Sequence, residues 1–395
     1  MKPVVLAVLV LVVSAAATPV TRNEHPRPEH DVAYLRGGDR SEEISRRNGI
    51  TRLSSQLLER VPNAAEVMGL TQEQVEARSA DGFINTLDEV CNAGAMYGAI
   101  KPNYAPSRDR IEMHLTTSNG EVNAALSQPQ RILDAPALRE EKEVVIYITG
   151  IKSTSENNPL NKLKEAYKCR GNVNFLVIDL GRHITNVQTL LTLDSEQVGE
   201  WVAQLLNEIT KKVSRNKIHL IGHGVGAHVA GAAARKYTEM TGHLLQRITG
   251  LDPALICYKQ HNVLYGLQKG DAEFVDVIHS STYGYGKPDA SGDVDFYPNG
   301  PSIVQPGLRD LVSSHNIAVE FYAETVIPGN EENFLAQQCN SMRNLRSRAC
   351  QRKQIPMGIS TPRDASGNFF LETKTTFPYG NNASQSSRNH QCWRN

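Results

Sequence analysis

The sequence predicts an α/β protein, a mostly parallel sheet with helices on both faces. Three features support this. From about residue 95, apolar runs of strand length alternate with longer amphipathic stretches. The strand runs are continuously apolar rather than alternating, as expected for strands buried on both sides. Strand, helix, strand then recurs along the chain.

The strand-length runs are Val144 to Ile148, Phe175 to Ile178, Ile218 to Ile221, Ile248 to Leu251 and Phe274 to Ile278. The stretch after Asp194 predicts a helix. Val198, Trp201, Val202, Leu205, Leu206 and Ile209 form one apolar stripe, and Asp194 or Ser195 can cap the first turn. A second, Ala-rich helix is expected over Val229 to Tyr237.

The beginning of the chain reads differently. Lys2, an apolar run from Val4 to Val13 and the small residues Ser14 to Ala17 predict a secretory signal peptide over 1–17. The run is too short to span ~30 Å of hydrocarbon, and no later run approaches that length, so no membrane span is expected. Residues 18–94 are polar, with Pro and Gly at first and helical patterns near 54–60 and 71–78, which predicts a partly helical extension. Residues 95–395 form the α/β domain with a polar C-terminal tail.

Lys plus Arg and Asp plus Glu balance at 42 each, which gives no support to nucleic-acid binding. The six cysteines suit an oxidising compartment, and none shows zinc spacing, so neither a metal nor a cofactor is expected. Cys339 and Cys350 are close enough to close a small loop; the pairing of Cys91, Cys169, Cys257 and Cys392 stays open. Asn382-Ala383-Ser384 is an N-glycosylation sequon.

The chemistry concentrates at Gly222-His-Gly-Val-Gly-Ala-His228, between a strand and a helix. This is the setting of the nucleophile elbow G-x-S-x-G, whose central residue projects above the sheet at a strained positive φ. Here that residue is Gly224, which carries no hydroxyl. The same stretch also fits the dinucleotide fingerprint G-x-G-x-x-G/A, with Asp252 as the ribose-binding acid. Against that reading, the strand is not the first of the domain, and the acid follows Gly222 by about 30 residues rather than about 20. A plain tight turn is the third reading.

Neighbouring segments bear on the choice. Gly222 to Gly231 resembles the neutral lipase family, to which pancreatic and lipoprotein lipases belong. Ile248-Thr-Gly-Leu-Asp-Pro-Ala254 resembles its acid-bearing strand end. Phe274 to His279 and Val294 to Gly300 are similar to its later core strand and turn, and Ser314-His315 with Phe321 to Glu324 to its His-bearing loop and helix. The resemblance implies an α/β-hydrolase fold with Asp252 as triad acid, His315 as base and Gly224 in the nucleophile's place. Backbone N–H groups of Ile151 and Val225 would take the oxyanion positions.

Losing the nucleophile costs on the order of 10⁶ in kcat in a serine hydrolase, so the expectation is a pseudoenzyme whose Asp–His pair is only structural. Thr149-Gly150-Ile151 also departs from the family's His-Gly-aromatic oxyanion strand. Residues 301–313, where such enzymes often carry a lid, are short and lack a bracing cysteine pair. The family's C-terminal β-sandwich is expected to be missing.

The signal peptide, polar extension, elbow glycine and the stretch Ala99 to Ser107 resemble the yolk proteins of higher flies. This resemblance implies a storage protein secreted to the haemolymph and taken up by oocytes through an endocytic receptor. Arg343, Arg346, Arg348, Arg352 and Lys353 form a basic patch that could meet such a receptor, set against the reading of a solvated face. The alternatives are a carrier of lipid or steroid conjugates in the vestigial cleft, or a residual triacylglycerol lipase or phospholipase A1. A homo-oligomer and a hetero-oligomer both stay open.

Overall fold

The computed structural model describes residues 104–117, 120–150, 159–184, 193–255, 266–282, 285–384 and 387. The segments expected to form a signal peptide (1–17) and an extension (18–94), together with Ile151, Cys91, Cys257 and Cys392, lie outside the described residues.

Each of the five apolar runs becomes a strand: β3 (Glu143–Ile148), β4 (Val173–Asp179), β5 (Ile218–His223), β6 (Arg247–Leu251) and β7 (Val275–Ile278). Side chains alternate across a strand, so a run apolar at every position must be covered twice. On β3, Val144, Ile146 and Ile148 enter one core, while Val145 and Tyr147 enter the other.

One core lies beneath α2 (Ser195–Thr210) and α3 (Val225–Thr241). The other lies beneath α1 (Pro159–Arg170) and α4 (Leu311–Val326). Helix α2 starts where its apolar stripe predicts, with the Asp194 carboxylate accepting from Gln197 N–H at 2.9 Å. Helix α3 is longer than the Ala-rich stretch suggested, because it begins directly at the elbow.

Six further strands complete the sheet among the described residues: β1 (Glu112–Thr117), β2 (Gly120–Ala125), β8 (Val294–Pro298), β9 (Leu335–Cys339), β10 (Gln354–Pro356) and β11 (Gly367–Leu371). The order is β10-β9-β11-β8-β7-β6-β5-β3-β4-β1-β2. From β11 to β4 every neighbouring pair is parallel, and the outer pairs on both sides are antiparallel.

β3 leads outward to β4, whereas β5 returns to the opposite side of β3. The carboxyl ends of β3 and β5 therefore flank the topological switch point, where open α/β sheets form their crevice. Gly150, Gly224 and the N-terminus of α3 meet there. No described helix is long and apolar enough to cross a membrane.

Candidate functional site

The elbow is built by contact between backbones. A Cβ on Gly222 would lie inside contact distance of Ala227, and one on Gly226 inside that of Ile148 and Thr149. Between them Gly224 has φ +57° and ψ −121°, a region that costs other residues ~1–3 kcal/mol. Its N–H donates to Leu251 O at 3.0 Å, and its carbonyl accepts from Ala254 N–H at 3.2 Å, so the turn is sewn to the end of β6.

Asp252 follows β6 and is fully buried. Its own φ is +45°, held by its N–H donating to Ile278 O at 2.7 Å. One carboxylate oxygen accepts from the N–H groups of Ser280 at 2.7 Å and Ser281 at 2.9 Å. The other accepts from the Ser281 hydroxyl and from His315 Nδ1, the latter at 2.6 Å. Burial pushes this carboxyl up. The His315 hydrogen bond and charge, with the Ser281 bonds, outweigh it and hold the group below its ordinary range. An ionised Asp252 places the proton on Nδ1 and leaves Nε2 as the outward atom of the imidazole.

That atom faces Gly224. An ideal Cβ there would stand 2.7 Å from His315 Nε2 and 3.9 Å from Gly150 Cα. The imidazole thus occupies part of the volume that a side chain at 224 would need. His315 lies near the start of α4, whose N-cap Asp310 accepts from Ser313 N–H at 2.7 Å. His223, at the end of β5, stacks on His315 with ring centroids 4.3 Å apart and donates from Nε2 to His315 O at 3.2 Å. Burial and the neighbouring His315 push His223 down to about 3, so it stays neutral. Tyr285 adds an aromatic wall 5.3 Å from the His315 ring.

The sequence-predicted residues fall into two groups. Gly224, Val225, Asp252 and His315 converge on one point. Cys339 and Cys350 form a disulfide at the far edge of the sheet, and Cys169 is disulfide-bonded as well. Arg343, Arg346, Arg348, Arg352 and Lys353 are all exposed around that bridge. Arg348 pairs with Glu372 at 2.8 Å and covers the Phe370 ring at 5.6 Å. Asn382 is exposed on a turn. The ribose-binding role considered for Asp252 finds no free carboxylate oxygen.

Two supporting histidines had no signal in the sequence. His228 donates from Nε2 to Ala254 O at 2.9 Å and accepts from Leu267 N–H at Nδ1, 3.0 Å away. Burial and nearby Lys287 push it down to about 3. His279 bonds Asp295 at 2.8 Å and stacks on Tyr297 at 4.5 Å. Both clamp the loops that carry Asp252 and Ser280, and neither reaches Gly224.

The lipase family model matches residues 101–379. The chain belongs to this family. Vitellogenin-3 of Drosophila melanogaster is 33% identical over 83% of this chain and 88% of its own length. Vitellogenin-2 of Ceratitis capitata is 33% identical over 85% of this chain and 89% of its own. Inactive pancreatic lipase-related protein 1 of Mus musculus is 29% identical over 57% of this chain and 51% of its own. The chain is thus a lipase-family protein of the fly yolk-protein type. As in other α/β-hydrolases, the elbow, the acid and the histidine follow one another along the chain.

Proposed function

We propose that this chain is a secreted yolk storage protein, taken up by oocytes through an endocytic receptor, and that it does not hydrolyse esters. The observation that carries the reading is Gly224 at the tip of the elbow, with His315 Nε2 turned toward it. An Asp–His pair can raise the reactivity of a hydroxyl only where one lies within reach of Nε2. Ser280, Ser281 and Ser314 are nearby, but their hydroxyls bond Ser314 O, Asp252 and Gln305 N–H respectively. The buried pair then serves the fold, keeping Asp252 compensated.

The vitellogenin relatives, alike over most of their length, support storage. The exposed arginines and Lys353 near the Cys339–Cys350 bridge would face the receptor, with Arg348 bracing them. Asn382 would carry a glycan, its side chain in solvent while its N–H donates to Asn333 O at 3.1 Å. The open Nε2 favours a second role compatible with the first, carriage of a lipid or steroid conjugate in the cleft. Immunodetection through oogenesis tests storage. The reading expects accumulation in eggs, and absence there with enrichment in digestive secretions would overturn it.

A further inference from the structure

The sheet ends in two edges of different character. At one end stands β10, a short strand closed by Pro356 and preceded by the exposed Arg352 and Lys353. Short length, proline and charge are the devices that keep a sheet edge from pairing. At the other end stands β2, which pairs with β1 on one side and has no strand on its outer side among the described residues. Its sequence, Gly120-Glu-Val-Asn-Ala-Ala125, holds no proline, lysine or arginine. Its one charge, on Glu121, is matched by Lys164 of α1 at 2.5 Å.

The register tells which backbone groups of β2 are open. Leu126 N–H donates to Ile111 O at 2.8 Å, one step beyond the pairing of Glu112 with Ala125. Hydrogen-bonded pairs alternate along an antiparallel ladder, so Gly120, Val122 and Ala124 bond inward to β1. Glu121, Asn123 and Ala125 then turn their N–H and C=O groups outward. Ala125 O accepts from Gln128 N–H at 2.8 Å, and the remaining outward groups have no partner among the described residues. Ala124 is buried in the core beneath α2 and α3, with Val122 packed against it, whereas Glu121 and Asn123 are exposed on the other face.

We propose that β2 is a dimer interface, pairing antiparallel with β2 of a second copy of this chain about a two-fold axis at Asn123. That axis sets Asn123 against its counterpart and Glu121 against the partner's Ala125, the register in which all three outward residues are matched. Asn123 exchanges both backbone bonds with its counterpart, and each Ala125 N–H donates to a Glu121 carbonyl across the axis. The two Glu121 side chains, four residues apart along the ladder, stand about 14 Å from each other, beyond a Debye length at physiological salt. On the inner face Val122 stands opposite the partner's Ala124, so the apolar row continues across the axis. The strand is thus its own complement in hydrogen bonding, charge and apolar pattern. It offers no unpaired charge to steer a charged peptide onto the edge.

One paired strand is a small contact, so the dimer belongs to the weak class, with a Kd on the order of 10 µM. Sedimentation velocity on the full chain should show monomer passing to dimer between about 1 and 200 µM. Asn123→Pro deletes the N–H at the axis, at an edge position where proline is compatible with a strand. It should weaken dimerisation by about tenfold or more, since two backbone hydrogen bonds are lost per dimer. Its unfolding midpoint should hold, because the Asn123 side chain bonds only His114, at 2.9 Å on the surface. Asn123→Cys sets two Cα atoms about 5.5 Å apart across the axis, within disulfide range, and oxidation should give a covalent dimer. Gln354→Cys, on the guarded edge, should give none.

Hydrogen exchange on the wild-type chain decides the matter even if a variant fails to fold. The Asn123 and Ala125 N–H groups should exchange more slowly as concentration rises through the dimer range. Protection at Asn123 that does not change with concentration would overturn the proposal, because another segment of the same chain would then hold the edge. A chain that stays monomeric at about 200 µM, or a dimer that Asn123→Pro leaves intact, would overturn it as well.

Discussion

Replacing Gly224 by serine restores the missing hydroxyl and should still yield a destabilised, poorly active protein. Two costs add. Residue 224 sits at φ +57° and ψ −121°, where a side chain adds strain of about 1–3 kcal/mol. The new Cβ would stand 2.7 Å from His315 Nε2, whereas ordinary contact begins at 3.4 Å. The imidazole must retreat by about 0.7 Å or the turn must deform, an overpacking cost of about 1–3 kcal/mol. Retreat also stretches the 2.6 Å bond to Asp252, whose alternative donors are already engaged.

The sum is about 2–6 kcal/mol. In urea titrations with unchanged slope, it should appear as a midpoint lowered on the order of 1 M. Gly224→Ala should lose nearly as much, because the cost comes from Cβ rather than from the hydroxyl. Ester turnover by the serine variant should stay far below the ~10⁶-fold that a well-placed nucleophile contributes. A serine variant as stable as wild type, with brisk turnover, would refute the steric reasoning.

Other sites give further tests. Arg247 is bidentate to the fully buried Asp276 at 2.7 and 2.9 Å, so Arg247→Met should cost about 3–5 kcal/mol in chemical unfolding. His228 titrates near 3 when folded and near 6.5 unfolded, so below pH 6.5 the unfolded chain binds the extra proton and stability falls with acidification. His228→Gln should flatten that loss by about 1.4 kcal/mol per pH unit between about pH 4 and 6, measured by urea midpoints. Charge reversal at Arg343, Arg346 and Arg352 should reduce uptake by cultured oocytes while leaving the unfolding midpoint unchanged. Equal uptake would clear the patch of a receptor role.

The interior of the sheet was legible because burial on both faces leaves no choice of residue. Val144 to Ile148 carries no polar group except the Tyr147 hydroxyl. The edge strands gave no such signal. β1 alternates buried Met113 and Leu115 with half-exposed neighbours, and β9 and β10 are short and rich in glutamine. The start of helix α2 could be read to within one residue, because the stripe agrees with a cap at Asp194 or Ser195.

At the site, the glycine spacing and the Leu251-Asp252-Pro253 strand end were readable as local patterns. The closeness of His315 to position 224 came only from the family resemblance, because it depends on how α4 docks more than 60 residues later in the chain than Asp252. The pairing of His279 with Asp295 was hidden for the same reason. It joins two strand ends whose sequences look only like core.

The most direct test of an inert elbow is covalent. The purified full chain should be treated with a serine-directed fluorophosphonate, and intact mass and peptide maps recorded. The account predicts an unmodified mass under conditions that fully label an active lipase. A stoichiometric adduct on a residue lining the Gly224, Asp252 and His315 cleft would contradict it.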